Sequence, residues 1–462
     1  MNPLLALSGT RQAELIRTGA LSSLELIDLH LARIAQVNPA LNAAIDILTD
    51  SARCEARSVD RRRAAGETLR PLEGVPFSVK DSIEVAGTVC SAGTLGFRNS
   101  KPSAQDATLV ARLRAAGSIP LARTNLPDLL FAFETDNLIF GRSNNPYDLT
   151  RTPGGSSGGE SALIAACGSP FGLGSDAAGS VRVPAHCCGI ASIKPTSGRL
   201  SRAGHVPGAG GWIETLWQIG PMARRVEDLF TMMPLLLGTD DRDRTLVPMP
   251  YSDPASLDLR KLRVAFFIDN GCATPDADTQ DTLLAAAEML SFEVDAVEEQ
   301  VPPGIDRSYD LEMKFLGPAG GDGLRDYLRD IGSHRTHPLL DGWLYKLEQY
   351  RTDIAGFAKY WAALDSFRDD MHGFMHGYDA ILSPVASHPA VPHGTSIDDA
   401  NFRGFSYTMT HNLTGWPAAV VRHGTSRDGL PIGVQIAARP WREDIALALA
   451  KVLEREFPLP AL

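Results

Sequence analysis

The run Thr152-Pro-Gly-Gly-Ser-Ser-Gly-Gly-Glu-Ser161 is the most unusual segment of the chain and the first place to look for chemistry. Gly154, Gly159 and Ser161 mimic the phosphate loop G-x-x-x-x-G-K-[ST]. The mimic fails at Glu160, which stands where a lysine must reach the β- and γ-phosphates, because a carboxylate there repels them. The same run matches G-x-S-x-G twice, centred on Ser156 and on Ser157, the pattern of a nucleophile elbow served by a histidine and a carboxylate. An elbow needs a strand running directly into the turn, whereas Ser143 to Pro153 is a series of turn formers with two prolines. None of the eleven histidines is singled out as its base. A Ser-His-Asp hydrolase using Ser157 is therefore the second choice. Metal chemistry has little support. His372 and His376 stand four apart, but Gly-Phe-Met lies between them with no glutamate, and His186 has no second ligand cluster at metal spacing.

A further serine, Ser180, sits in Gly174-Ser-Asp-Ala-Ala-Gly-Ser-Val-Arg-Val-Pro184. Small residues flank it, so successive backbone N–H groups can face a developing oxyanion with no bulky side chain in the way. Taken alone, the plainer reading is a tight turn with a capping serine. The elements that must position these residues read as α/β. Ser22 and Glu25 form a capping box for a helix over 22–36, with Leu24, Ile27, Leu31 and Ile34 on one face. Val75, Phe77 and Val79 alternate with polar neighbours, which predicts a strand that delivers Lys80 near its end. A helix over 106–116 and a strand over Ile119 to Ala122 follow, then a second strand–helix–strand pattern at Leu262 to Ile268, Gln280 to Leu290 and Phe292 to Val297. This alternation predicts an α/β layering with a largely parallel sheet. Residues 305–378 read as mostly helical and aromatic, and Gly415 to Gln435 alternates turn residues with apolar runs before a last helix near 442–455.

Composition excludes several functions. The chain carries 44 Lys+Arg against 55 Asp+Glu, a net charge of −11, and no basic block, which argues against a nucleic-acid partner or an anionic membrane surface. No apolar run approaches the roughly 18 residues a membrane span needs. The N-terminus lacks a basic region and a cleavage site, so a cytoplasmic location is expected. Six cysteines without a CxxC pair fit reduced thiols, and Cys187 and Cys188 read as small packed hydrophobes.

Taken together, Lys80 in Gly-Val-Pro-Phe-Ser-Val-Lys-Asp81, the Gly154 to Gly159 segment and the Ser180 segment resemble the amidase signature family. The stretch Thr152 to Thr196 is similar to its fatty-acid-amide-hydrolase-like branch. Counterparts continue at Glu134-Thr-Asp-Asn137, Gln218-Ile-Gly-Pro-Met222, Asn412-Leu-Thr-Gly415 and Gly429-Leu-Pro-Ile-Gly-Val-Gln435. The resemblance is weakest between about 240 and 375 and implies one α/β/α domain over 1–462 with a central mixed sheet, a catalytic core at about 70–225, and 305–378 as a variable, substrate-shaping segment. It further implies Ser180 as nucleophile, Ser156 as bridging serine on a cis peptide and Lys80 as the base. The amides of Ala177, Ala178, Gly179 and Ser180 would form the oxyanion hole, supported by Ser157, Asp176 and Arg182. The chain departs from the family at Ala178-Gly179, where many members have two glycines, and an alanine restricts φ. The chemistry needs neither metal nor organic cofactor: a neutral lysine withdraws the serine proton and the relay returns it to the leaving amine. The expected partner is a small neutral amide or carbamate, with esters accessible to the same acyl chemistry. A glutaminase-type amidotransferase subunit is the alternative inside the family, and a non-catalytic binding protein the alternative outside it.

Overall fold

The reciprocal cap at Ser22 forms: its hydroxyl accepts the Glu25 N–H, the Glu25 carboxylate accepts the Ser22 N–H, and the helix they open runs Ser23–Leu41. In the computed structural model, which describes residues 2–208 and 210–462, this helix packs beside one eleven-stranded sheet. The strands in chain order are β1 (Ala44–Ile47), β2 (Pro76–Lys80), β3 (Ile119–Thr124), β4 (Phe171–Asp176), β5 (Ala191–Lys194) and β6 (Gln218–Ala223). They continue as β7 (Arg263–Phe266), β8 (Ala296–Glu299), β9 (Ala380–Pro384), β10 (Ala418–Thr425) and β11 (Pro431–Ala438). Their order across the sheet is β1-β3-β2-β4-β6-β5-β10-β11-β9-β7-β8.

The architecture is the expected single α/β unit with a mixed sheet, but the sheet is not largely parallel. Six of the ten pairings are antiparallel, and the four parallel ones lie in two groups, β3-β2-β4 and β9-β7-β8. Both strand–helix–strand patterns seen in the sequence fall in those groups, where a crossover helix makes neighbours parallel. The middle is antiparallel because β10 and β11 form a hairpin closed at Ser426–Leu430, with Gly429 at φ 82, and β5 and β6 pair across a long excursion. The strand expected at Phe292 begins only at Ala296; Phe292 caps the helix Ala277–Ser291 with its ring 66% exposed.

β2 is buried at every position, not only on its apolar face. Its polar face lies under the helix Gly158–Ala165, itself wholly buried, whose Glu160 accepts hydrogen bonds from Ser78 of β2 and, at 2.7 Å, from Thr124 Oγ1 of β3. Period-two alternation here marks two different buried environments, one apolar and one that carries the site. Residues 305–378 hold four α-helices, Ser308–Leu316, Asp322–Asp330, Pro338–Glu348 and Ile354–Phe374. Among the described residues, no helix is long and apolar enough to cross a membrane.

Candidate active site

Three chain segments meet at the C-terminal edge of β2 and β4. The two strands are parallel neighbours, with Ser78 opposite Gly172 and Val79 opposite Leu173, so Lys80 and the Ser175-Asp176 pair leave the sheet side by side. The third segment is the loop before the helix Gly158–Ala165, which carries Ser156 on a cis Gly155–Ser156 peptide. Gly155 is obligatory: a Cβ there would meet the backbone of Ala132 and Glu134. Lys80 Nζ lies 2.7 Å from Ser156 Oγ and 3.2 Å from Ser175 Oγ, and is wholly buried. Desolvation is the largest influence on it and lowers its pKa to about 7, with Asp176 and Glu160 pulling the other way.

Ser175 in turn meets His205, whose Nε2 is 2.9 Å from Ser175 Oγ and whose Nδ1 is 2.9 Å from the Pro207 carbonyl. A carbonyl only accepts, so Nδ1 carries the ring proton and Nε2 is left to accept the Ser175 hydroxyl. Burial lowers the His205 pKa to about 3, which keeps the ring neutral. With its own proton given to His205, Ser175 Oγ accepts an N–H from Lys80, and a neutral Lys80 is left with its lone pair for Ser156 O–H. Neither Ser175 nor His205 is legible from the sequence as part of this set. A lone histidine in a Gly-rich stretch carries no signal, since the loop that brings it is remote in the chain.

Ser180 lies on the turn after β4 and is the least buried of the three candidate serines; Ser156 is 1% and Ser157 0% exposed. Its hydroxyl makes no hydrogen bond among the described residues. Asp176 folds this turn by accepting the N–H groups of Gly179 (2.8 Å) and Val181 (3.2 Å). The Gly179 amide is thereby engaged, which removes one of the four donors expected for an oxyanion; those of Ala177, Ala178 and Ser180 have no acceptor among the described residues. Ala178 brings no strain, because the positive φ of the turn, 125°, falls on Gly179. Ser157 links the two serine loops: its N–H donates to the Ser180 carbonyl at 3.1 Å and its hydroxyl meets the Ser175 backbone at 3.4 Å. Among the described residues no histidine is hydrogen-bonded to it and no strand leads directly into it, so the elbow lacks both its base and its geometry.

Behind the turn, Arg182 grips Asp176 through two 2.9 Å bonds and extends to Asn412 (2.6 Å), Gln435 (2.7 Å) and the Thr408 carbonyl (2.7 Å). Both ions are fully buried, and despite desolvation the guanidinium holds the Asp176 carboxyl well below the usual carboxylate range. Replacing Arg182 by methionine leaves that carboxylate uncompensated, and denaturant unfolding is expected to show a loss of about 3–5 kcal/mol. Of the set-aside metal candidates, His186 is tied to the Gly433 N–H and the His388 carbonyl, each at 3.0 Å. His372 and His376 face each other with no third ligand beside them among the described residues.

Ser156, Ser175, Ser180 and His205 line one side of a cavity of about 130 Å³. Its other walls are apolar, with Leu129, Phe131 and Phe133 from one loop, Trp217 beside β6, and Leu316 and Trp343 from the 305–378 helices. Among the described residues, no lysine or arginine lines it; its one carboxylate, Asp176, is the partner of Arg182.

The chain has relatives in sequence and in fold. The Amidase family model matches residues 25–447. The chain is 34% identical to a glutamyl-tRNA(Gln) amidotransferase subunit from Prochlorococcus marinus (strain MIT 9303), over 94% of each chain. It is 31% identical to the human fatty-acid amide hydrolase 2, over 98% of this chain and 90% of that one. Its fold superimposes on a bacterial aryl acylamidase of the amidase signature family with a TM-score of 0.85 at 25% identity, covering 98% of this chain and 96% of that one. Matched from residue 25 to residue 447 and aligned along nearly its whole length with these relatives, the chain belongs to the amidase family.

Proposed function

We propose that the protein hydrolyses the C–N bond of a small neutral amide through an acyl-enzyme on Ser180, with carbamates and esters open to the same route. The observation that carries this reading is the 2.7 Å contact between the buried Lys80 amine and Ser156, on the wall of an apolar cavity that Ser180 also faces. Ser180 Oγ attacks the carbonyl carbon while its proton passes to Ser156 and the Ser156 proton passes to the lone pair of Lys80. The carbonyl electron pair moves onto oxygen, where the free amides of Ala177, Ala178 and Ser180 stabilise it. Collapse of this intermediate breaks the C–N bond, and the proton returns from Lys80 through Ser156 to the departing nitrogen. Water then repeats the sequence on the ester and releases the acid. Asp176 and Arg182 fix the turn that presents Ser180, and Ser157 joins that turn to the Ser156 loop.

A second reading, glutamine hydrolysis within an amidotransferase complex, is favoured by the 34% identical relatives named for that activity. The cavity speaks for the first. Glutamine brings an α-carboxylate and an α-ammonium, and burying either without a counter-charge is costly. The lining supplies neither a cation nor an unpaired carboxylate. The test is a panel of anilides, carbamates, esters and L-glutamine given to the purified protein, with the free acid measured. Turnover of the neutral substrates is expected; release of glutamate alone, or of nothing, overturns the proposal.

A further inference from the structure

We propose that the cavity admits one apolar group the size of a single ring, and that Trp343 sets this limit. The inference rests on the neutral-amide reading and narrows it to benzoyl-like groups or chains of roughly six carbons. The first argument is room: the cavity measures about 130 Å³, and an apolar protein cavity of about 150 Å³ holds one benzene. The cavity is partly open, so a long acyl chain or a second fused ring exceeds it where the group points at the Trp343 wall and that wall does not yield.

The second argument is that the Trp343 wall is held. Trp343 is 4% exposed and lies on the helix Pro338–Glu348. Its ring stands edge-on to Phe131 at 5.9 Å and to Phe402 at 4.8 Å, and tilts against Phe133 at 5.7 Å. Phe133 is itself wedged against Phe405 at 4.4 Å and Phe402 at 5.6 Å. Turning Trp343 aside would break three aromatic contacts in a close-packed cluster, so the substrate meets a fixed surface there. Phe131, Phe133 and Trp343 line the cavity with ring surfaces, which suits a flat group.

The experiment measures kcat/KM for p-nitroanilides with acyl groups from acetyl to dodecanoyl plus benzoyl, and for the mirror series of N-alkyl and N-aryl acetamides. In one of the two series the wild-type protein is expected to peak near hexanoyl size or benzoyl size and to fall at least about ten-fold by twelve carbons. Trp343→Ala should raise the long-to-short ratio at least about ten-fold and Trp343→Phe less. Leu316→Ala, which opens the same wall from the helix Ser308–Leu316, serves if Trp343→Ala does not fold. A wild-type profile that climbs to twelve carbons, or ratios unmoved in every folded variant, overturns the inference. Calorimetry with benzamide and biphenyl-4-carboxamide separates it from the hydrolytic reading. Benzamide should bind at least about ten-fold tighter, with the preference lost in the opened variants. A protein that keeps this preference while hydrolysing nothing refutes the hydrolase and leaves the size limit standing; equal binding of the two refutes the size limit whatever the activity.

Discussion

Replacing Ser180 by alanine is expected to lower kcat/KM on a neutral anilide by at least about 10⁴-fold, while leaving stability within about 0.5 kcal/mol. Both halves follow from its surroundings. Of the three serines that sequence patterns nominate, Ser156 and Ser157 are buried, and Ser157 is tied to the backbone of Ser175 and Ser180. Ser180 alone faces the cavity with a hydroxyl bound to nothing among the described residues, so its removal breaks no internal hydrogen bond and opens no cavity. It also lies on the turn whose Ala177, Ala178 and Ser180 amides have no acceptor among the described residues, which in the proposed mechanism hold the oxyanion. A fluorophosphonate should therefore modify the Ser180 peptide, and Ser180→Ala should abolish the label. A label retained on Ser156 or Ser157 in that variant, or a rate within ten-fold of wild type, would remove Ser180 from the reaction.

What the sequence reveals about this molecule divides along local and remote determinants. The capping box at Ser22 and Glu25, the strand that ends at Lys80 and the helix Thr108–Ala115 are local patterns, and each forms where the pattern puts it. Strand direction is not local. The same alternation of apolar and turn residues fits parallel and antiparallel neighbours, and the centre of the sheet is antiparallel because remote strands choose each other there. The site divides in the same way. Lys80, Ser156 and Ser180 can be nominated because the contiguous motifs that carry them resemble those of the amidase signature family. Ser175 gains its place only when His205 arrives from a different loop, and the engagement of Gly179 emerges only once Asp176 folds back on its own turn. Glu160, the group that spoils a phosphate loop, fastens a helix to β2 and β3. The aromatics of 305–378 show the limit of periodicity. Trp343 reaches the cavity, Trp361 packs against Phe315 at 5.0 Å in a separate cluster, and Tyr345 is 76% exposed. Similar helical spacing leads to three outcomes because the distance to the site is set by how the helices dock.

Lys80→Met is the change expected to separate stability from activity. In the native protein Lys80 must be neutral to accept a proton from Ser156, so kcat/KM should fall about ten-fold per pH unit below an apparent pKa of about 7 and level off above it. The groups that face the amine decide this. Asp176 and Glu160 favour its charged form, His205 stays neutral, and desolvation outweighs both carboxylates. The same shift has a cost in folding. An unfolded lysine titrates near about 10.4, so between about 7 and 10.4 the unfolded chain binds the extra proton. The contribution of Lys80 to stability is therefore most unfavourable below pH 7 and is relieved as the pH rises through that window. Methionine fills a similar volume with no charge to desolvate, so at pH 6 to 7 the variant should melt higher than wild type while its rate falls by about 10³-fold or more. Its residual rate should have lost the limb near pH 7. A variant that keeps that limb, or keeps its rate, would show that another group withdraws the proton from Ser156. A variant that melts lower at pH 6 would show that the contacts of Lys80 with the buried Ser156 and Ser175 hydroxyls outweigh the cost of burying its charge.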